Sequence, residues 1–307
     1  MLMREIARAT FAATLHNLKT VKVGRRIAQS RLAAWICGEG AVIARLSFGA
    51  QAIVFVNEGE GRTAYLWGEN DPRISAVVSA VLRKGDTALD IGANFGLPGL
   101  LIAKIVGLEG TVHLFEPQPV VASCLRASLL INGYSNAVVH ECALSNQAGR
   151  TTMTFDIPHE FSTATLASHD PDTVGPSDTI AVRTEDAGEY VSSLQCGKVA
   201  LIKIDVEGHE PIIFESIRDW LAEKRVPVIL FECHLHGQAF QENESVRILF
   251  RLGYEFFNID VRPYWHTRLF AITGTQHPIG YDFVAVLWQE LDEERRSALK
   301  AMMVQRD

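Results

Sequence analysis

A chain of 307 residues, 48% hydrophobic and 21% charged, has the composition of a soluble globular protein large enough for one sizeable core. Its net charge of −7 argues against general nucleic-acid binding, which needs a surplus of Lys and Arg to neutralise phosphates. No apolar run is long enough for a membrane span or the core of a signal peptide, so the expected compartment is the cytoplasm.

The charge is unevenly spread. Residues 1–35 hold Arg4, Arg8, Lys19, Lys22, Arg25, Arg26 and Arg31 against Glu5 alone, which leaves the remainder at −13. Leu2, Ile6, Phe11, Leu15 and Leu18 recur at near-helical spacing. That favours a helix docked on the acidic body over a targeting peptide or a membrane-surface helix. Cys37, Cys124, Cys142, Cys196 and Cys233 are scattered and never paired as C-x-x-C, so reduced thiols are expected and a cysteine zinc site is not.

Ala52–Val56 and Thr63–Trp67 flank a Gly/Glu-rich turn and read as a β-hairpin. Asp71-Pro72 opens a helix to about Leu82, with Ile74, Val77, Val78 and Val81 on its apolar face. Strand and helix then alternate. Strands are expected at Thr87–Ile91, Thr111–Phe115, Ala137–His140, Val199–Asp205, Val226–Phe231, Tyr254–Asn258 and Asp282–Trp288. Helices are expected at Pro98–Val106, Val120–Asn132, Pro211–Lys224 and Glu244–Leu252. Between them, Thr151–Phe155 and Thr179–Val182 read as strands around a long polar loop, residues 156–178, which suits a substrate lid or a surface insertion.

Strands separated by helices of ten or so residues imply an α/β fold with a doubly wound, mostly parallel seven-stranded sheet and helices on both faces. Only loop separates Asn258 from the last strand, so that strand should run antiparallel. The expected organisation is an N-terminal helical and hairpin extension over 1–70, the main domain over 71–290, and a C-terminal helix over 291–307.

Open parallel sheets bind ligands beyond the carboxyl ends of their strands. Asp90, Glu116, Glu141, Asp205 and Glu232 all fall there. In the turn Asp90-Ile-Gly-Ala-Asn-Phe-Gly96, the glycines admit a ligand to the backbone and the following helix offers free N–H groups. Glu116, at the end of the next strand, suits the two hydroxyls of a ribose. A dinucleotide or S-adenosylmethionine fits that pairing. Asn94 stands where the dinucleotide fingerprint needs its second glycine, and Asp90 would repel a pyrophosphate while it welcomes an ammonium and a sulfonium. The charge argument favours S-adenosylmethionine.

The densest group of ionisable residues lies in Leu201–Glu210, where Lys203, Asp205, Glu207 and His209 alternate and should share one face while the chain stays extended. Glu232 and His234 alternate at the end of the next strand, with His236 continuing the pattern. Methyl transfer to a hydroxyl needs in-line approach and removal of a proton, for which His209 or Asp205 is the candidate base, with Glu207, Glu232 and His234 as further acid/base candidates. The same carboxylates and imidazoles have the chemistry to bind a divalent metal such as Mg²⁺, although no residue is assigned as a metal ligand.

Asp90–Gly96, Phe115-Glu-Pro117, Ala143-Leu-Ser145 and Ile202–Glu210 together resemble the ordered signature of FkbM-type methyltransferases. Gly68–Pro72 and Phe231–His234 resemble the flanks of that signature, and the likeness spans about residues 65–290. The resemblance implies a class I S-adenosylmethionine-dependent methyltransferase fold and O-methylation of a small molecule, a sugar or secondary metabolite. It implies that Asp90, Gly92, Asn94 and Gly96 hold the methionine end, with Asp205 beside them, and that Glu116 holds the ribose. It also implies Glu141 and the Cys142 backbone at the adenine, and Glu69 closing over the cofactor. The readings left beside it are an NAD-dependent oxidoreductase and a non-catalytic module of the same fold. The expected partner is a small-molecule hydroxyl substrate, without nucleic acid or a membrane span. The oligomeric state is open, a homodimer included.

Overall fold

The structure is a computed structural model that describes residues 10–12, 26–69, 71–155, 164–166, 179–235, 237–260, 267–272, 278 and 280–304. Most of the basic start, the bulk of the 156–178 loop and His236 lie outside these residues, so the docked-helix and lid expectations do too. Phe11 and Ala12 are described, and they pack against the small apolar cluster of Ala28, Ala33, Cys37, Val56 and Leu66.

The first elements are helix α1 (Arg31–Cys37), the antiparallel pair β1 (Ala41–Arg45) and β2 (Gln51–Phe55), and helix α2 (Gly59–Trp67). A hairpin is present, but its partner strand precedes Ala52 instead of following it. Thr63–Trp67, expected as a strand, is helical. Thr, Tyr and Trp favour strands only where a pleated surface receives them. Here the segment buries Ala64 and Leu66, and the Arg62 guanidinium donates to the carbonyls of Ala28 and Val56. Gly61 fits because a Cβ there would meet Phe55 O at 2.3 Å. Helix α3 (Pro72–Val81) follows, with the Asp71 side chain accepting from Arg73 N at its start.

The main sheet is built from β3 (Thr87–Ile91), β4 (Thr111–Phe115), β5 (Ala137–His140), β10 (Val199–Ile204), β11 (Val228–Glu232), β12 (Glu255–Ile259), β13 (Leu269–Ala271) and β14 (Asp282–Val286). Their order is β13-β12-β14-β11-β10-β3-β4-β5. The five central and flanking strands β11, β10, β3, β4 and β5 are parallel, and β14 inserts antiparallel between β11 and β12 as expected for the last strand. The short edge strand β13 is an eighth member beyond the seven expected. Helices α4 (Leu97–Val106), α5 (Pro119–Asn132), α6 (Ala187–Ser193), α7 (Glu210–Ser216), α8 (Arg218–Lys224) and α9 (Glu244–Arg251) are the connecting helices, and α10 (Glu293–Met302) closes the chain. The single helix expected over 211–224 is broken at Ile217 into α7 and α8.

Alternation along the strands sends side chains to two cores. Ala88 and Leu201 join one, with Val78, Leu100 and Ile102 from α3 and α4; Leu89 and Ile202 join the other, with Ile213, Phe214 and Leu221 from α7 and α8. Each such Leu, Ile or Phe contributes roughly 1.5–3 kcal/mol by leaving water. The free edge of β2 lies on α5, where Asn132 Oδ1 and Ser128 Oγ accept from the backbone N–H groups of Gln51 and Ile53 at 2.8 Å. A four-stranded second sheet, unforeseen as a sheet, runs β6 (Ala143–Ser145), β9 (Thr179–Asp186), β7 (Gly149–Phe155), β8 (Ala164–Leu166). Strand order reverses between β3 and β10, the place where such sheets open a crevice.

Candidate active site

The crevice is lined by Ile91, Gly92, Asn94, Phe115, Glu116 and Asp205 from the main sheet, with Met153 and Leu166 reaching in from the second sheet. Two backbones meet at its floor. A Cβ on Gly92 would lie 1.9 Å from Asp205 O, and its φ of 78° is in the left-handed region, so only glycine allows this approach. Asn94 follows with φ 49°, a conformation that asparagine tolerates better than most residues.

Glu116 is almost fully buried, and its carboxylate accepts from Asn94 N at 2.9 Å and Gln118 N at 2.8 Å. Burial pushes its carboxyl up to about 7, against the pull of those two N–H groups. Asn94 turns its amide nitrogen to Glu60 Oε2 of α2 at 2.8 Å. Its Oδ1 is buried without a hydrogen-bond partner among the described residues.

Lys203 joins the two halves of the crevice. It lies beside Asp90 in the β10–β3 register and is 7% exposed. Its Nζ is 3.2 Å from Asp90 Oδ1 and 3.3 Å from Asp205 Oδ2, and it donates to Gly92 O at 3.3 Å. Burial raises the Asp90 carboxyl, and Lys203 works against that rise. Burial also works against the Lys203 ammonium, but Asp90 and Asp205 outweigh it and its pKa is raised. The alternation in Leu201–Glu210 gives this lysine no role beyond a face shared with Asp205. In the structure it sets the positions of both acids.

The expected shared face of Lys203, Asp205, Glu207 and His209 holds only for the first two. Strand β10 ends at Ile204, and positive φ at Glu207 (52°) and Gly208 (95°) turns the chain. The turn is held by Glu210, a residue to which the sequence gave no role: its buried carboxylate accepts from Val206 N at 2.9 Å and Gly208 N at 3.3 Å. The turn still delivers Glu207 and His209 to the crevice wall. His209 Nε2 lies 3.0 Å from Ser145 Oγ of β6, and burial lowers the imidazole pKa, so it is neutral near pH 7.

At the end of β11, Glu232 Oε2 and His234 Nε2 are 3.3 Å apart, and the His234 ring packs on Tyr281. Burial, then the carboxylates of Asp205, Glu207, Asp282 and Glu210, push Glu232 up to about 9. Glu207, Glu232 and His234 offer three ligand atoms within 4.8 Å of one another. That mixed set suits a transition ion better than Mg²⁺, which prefers a shell of oxygens.

Three residues expected at the cofactor are differently engaged. Glu69 accepts from Ser47 Oγ and Ser75 Oγ at 2.7 Å and is not part of the crevice wall. Glu141 pairs with Arg126 at 2.7 Å, also off the wall. Cys142 does line it, but its N–H donates to His140 O at 3.0 Å, and burial pushes its thiol up to about 11. Gly96 serves the turn itself, with φ 75° at the start of α4. All five cysteines are free. No helix among the described residues is long and apolar enough to cross a membrane.

A parallel sheet whose crevice opens at the reversal of strand order, with acids at its strand ends, is a Rossmann-like architecture. Residues 90–256, just over half of the chain, match the family model described as the methyltransferase FkbM domain. The chain belongs to that family of methyltransferases. It is similar to 31-O-demethyl-FK506 methyltransferase FkbM of Streptomyces tacrolimicus, 29% identical over 221 residues that cover 62% of this chain and 80% of the relative. Over 63 residues it is 38% identical to the protein-L-isoaspartate O-methyltransferase of Ignicoccus hospitalis, a match covering 20% of this chain and 30% of that one. A solved SAM-dependent O-methyltransferase from Thermotoga maritima overlays with a TM-score of 0.38 at 14% identity, covering 80% of this chain and 77% of the other.

Proposed function

We propose that this methyltransferase takes its methyl group from S-adenosylmethionine and transfers it to a hydroxyl of a small molecule. The observation that carries the reading is the buried Glu116 carboxylate, lining the crevice and held by two backbone N–H groups. Such an acceptor suits the paired hydroxyls of a ribose. The residues present fit the rest of the group. The orphaned Asn94 Oδ1 offers a hydrogen-bond acceptor, and the Asp90–Lys203–Asp205 cluster keeps carboxylates at the methionine end. The hydroxyl preference draws on the relative whose name specifies methylation at an oxygen.

When bound, the cofactor supplies an electrophilic methyl group on a sulfonium. Around it, Asp205 would hold the amino acid end, positioned by the buried Asp90 through Lys203, and Glu116 would orient the ribose. Neutral His209 would receive the proton that leaves the acceptor oxygen as that oxygen takes the methyl group and the methyl–sulfur bond breaks to leave a neutral thioether, and would later release it to water. Ser145 fixes the ring that does so.

Isothermal titration with S-adenosylhomocysteine and with NADH tests the cofactor. Micromolar binding of the first, lost in Asp90→Ala, is expected; binding of NADH alone would restore the oxidoreductase reading. A radiolabelled methyl screen against alcohols, amines and activated carbons then tests the hydroxyl assignment.

A further inference from the structure

Past the glycine turn the crevice adjoins a second space, and Gly92, Asn94, Asp205 and Glu207 line both. Of the described residues around this second space, Glu60 alone lies outside the matched residues 90–256. The sequence gave Glu60 no role. Its place in the first turn of α2 is set by close packing. The neighbouring Gly61 sits so near β2 that a Cβ would meet Phe55 O at 2.3 Å, and the Phe55 ring lies 6.1 Å from that of Phe95 in the glycine turn. Glu60 Oε2 thereby reaches Asn94 Nδ2 at 2.8 Å.

An acid in the first turn of a helix suits the helix dipole, but that interaction asks only for charge near the end and leaves the side chain's direction open. A brace for Asn94 needs only an acceptor, which a neutral amide supplies without drawing a charge out of water. The surroundings give the carboxylate a further use. Glu60, Asp205 and Glu207 set three anions around this space against one cation, Lys203, which already faces Asp90 and Asp205. Such an excess selects a cationic group. Asn94 Oδ1, on the side chain that Glu60 holds, is buried without a partner among the described residues and adds a neutral acceptor. An ammonium brings three N–H donors to such a set, and a carboxylate accepts at both oxygens, so the bond to Asn94 does not exhaust Glu60. Leu97 and Pro98 line the same space at the start of α4, where free N–H groups suit the carboxylate of an amino acid.

We propose that Glu60 is a cofactor-binding residue supplied from outside the matched domain, and that with Asp205 it receives the α-ammonium of the methyl donor's amino acid end. The inference rests on the methyl-donor reading. It adds a discrimination to that reading: the site prefers an intact amino acid end to a nucleoside thioether whose amino group is missing.

Isothermal titration of the full chain with S-adenosylhomocysteine, and with the analogue that lacks only its α-amino group, tests the contact. The parent should prefer S-adenosylhomocysteine by about tenfold or more, the worth of a hydrogen bond to a charged group. Glu60→Gln keeps an acceptor for Asn94 and removes the charge. It should cut that preference by about fivefold or more, while the analogue binds no more weakly than before. Glu60→Asp keeps the charge and should retain more of the preference than Glu60→Gln does. The proposal falls if the parent shows no preference, if Glu60→Gln weakens both ligands alike or keeps the full preference, or if Glu60→Asp retains no more of it than Glu60→Gln. If neither ligand binds the parent, the methyl-donor reading falls and takes this one with it; if both bind in any of the other patterns, the Glu60 contact alone falls.

Discussion

The two halves of the crevice solve the problem of buried charge in opposite ways. On the β3–β4 side every acid has a fixed partner: Asp90 has Lys203, and Glu116 has the N–H groups of Asn94 and Gln118. On the β10–β11 side, burial and then the carboxylates of Asp205, Glu207, Asp282 and Glu210 push Glu232 upward. The first half is organised before any ligand arrives. The second stores electrostatic tension that a proton or a bound partner relieves. Such a division suits a constant cofactor on one side and an exchanging acceptor on the other.

The sharpest way to break the contrast is to remove the cation on the organised side. Lys203→Met leaves Asp90 buried and unpaired, at a cost of about 3–5 kcal/mol to stability. Denaturant melts should show that loss, and calorimetry should show S-adenosylhomocysteine binding weakened by ~100-fold or more, since about 2.7 kcal/mol of misplaced acid suffices. On the other side, His209→Ala should lower kcat by ~10²–10⁴ in single-turnover assays. Cofactor affinity should stay within about threefold, because the lost group acts on the acceptor's proton.

Two pH experiments sharpen the comparison further. The free Glu116 carboxyl titrates at about 7, and the ionised form is the better acceptor for ribose hydroxyls. Binding of S-adenosylhomocysteine should therefore weaken as pH falls below about 7, approaching ~tenfold per unit, and Glu116→Gln should flatten that component. Glu232 has a folded-state pKa of about 9, far above its ordinary 4.5, so the folded protein retains a proton that the unfolded chain releases. Its contribution to stability is fully present below pH 4.5 and is lost as pH rises through about 9. Glu232→Gln should thus match the parent at low pH and melt higher at pH 9, by ~2–4 °C if the relief is near 1 kcal/mol. Equal melting at both pH values would deny the tension on that side.

Much of the organised side was legible because its signals are local. The strand Thr87–Ile91, the glycine turn and the acid that ends β4 follow one another within thirty residues, and each has one physical reading. What escaped depends on contacts distant in the chain. Helix α2 was mistaken for a strand because its helical state comes from burying Ala64 and Leu66 and from carbonyls that receive Arg62. The Ser145–His209 contact joins positions 64 residues apart, and neither residue alone marks it. Glu69 and Glu141 had the right charge near the right strands, yet nearby serines and Arg126 engage them first. The alternation through Lys203 and Asp205 is sound only as far as the end of β10 at Ile204, after which positive φ at Glu207 and Gly208 turns the chain.

Glu60 lies thirty residues before the family match begins, yet it bonds the Asn94 amide inside the glycine turn that follows β3. Arg73, also upstream of the match, donates to Asp282 beside the far edge of β11 at 2.7 Å. The smallest piece of this protein able to fold around the methyl donor is therefore longer than the piece that carries the family's signature. A fragment cut at Asp90 would keep all of the matched residues 90–256 and lose the braces on both sides of the cleft.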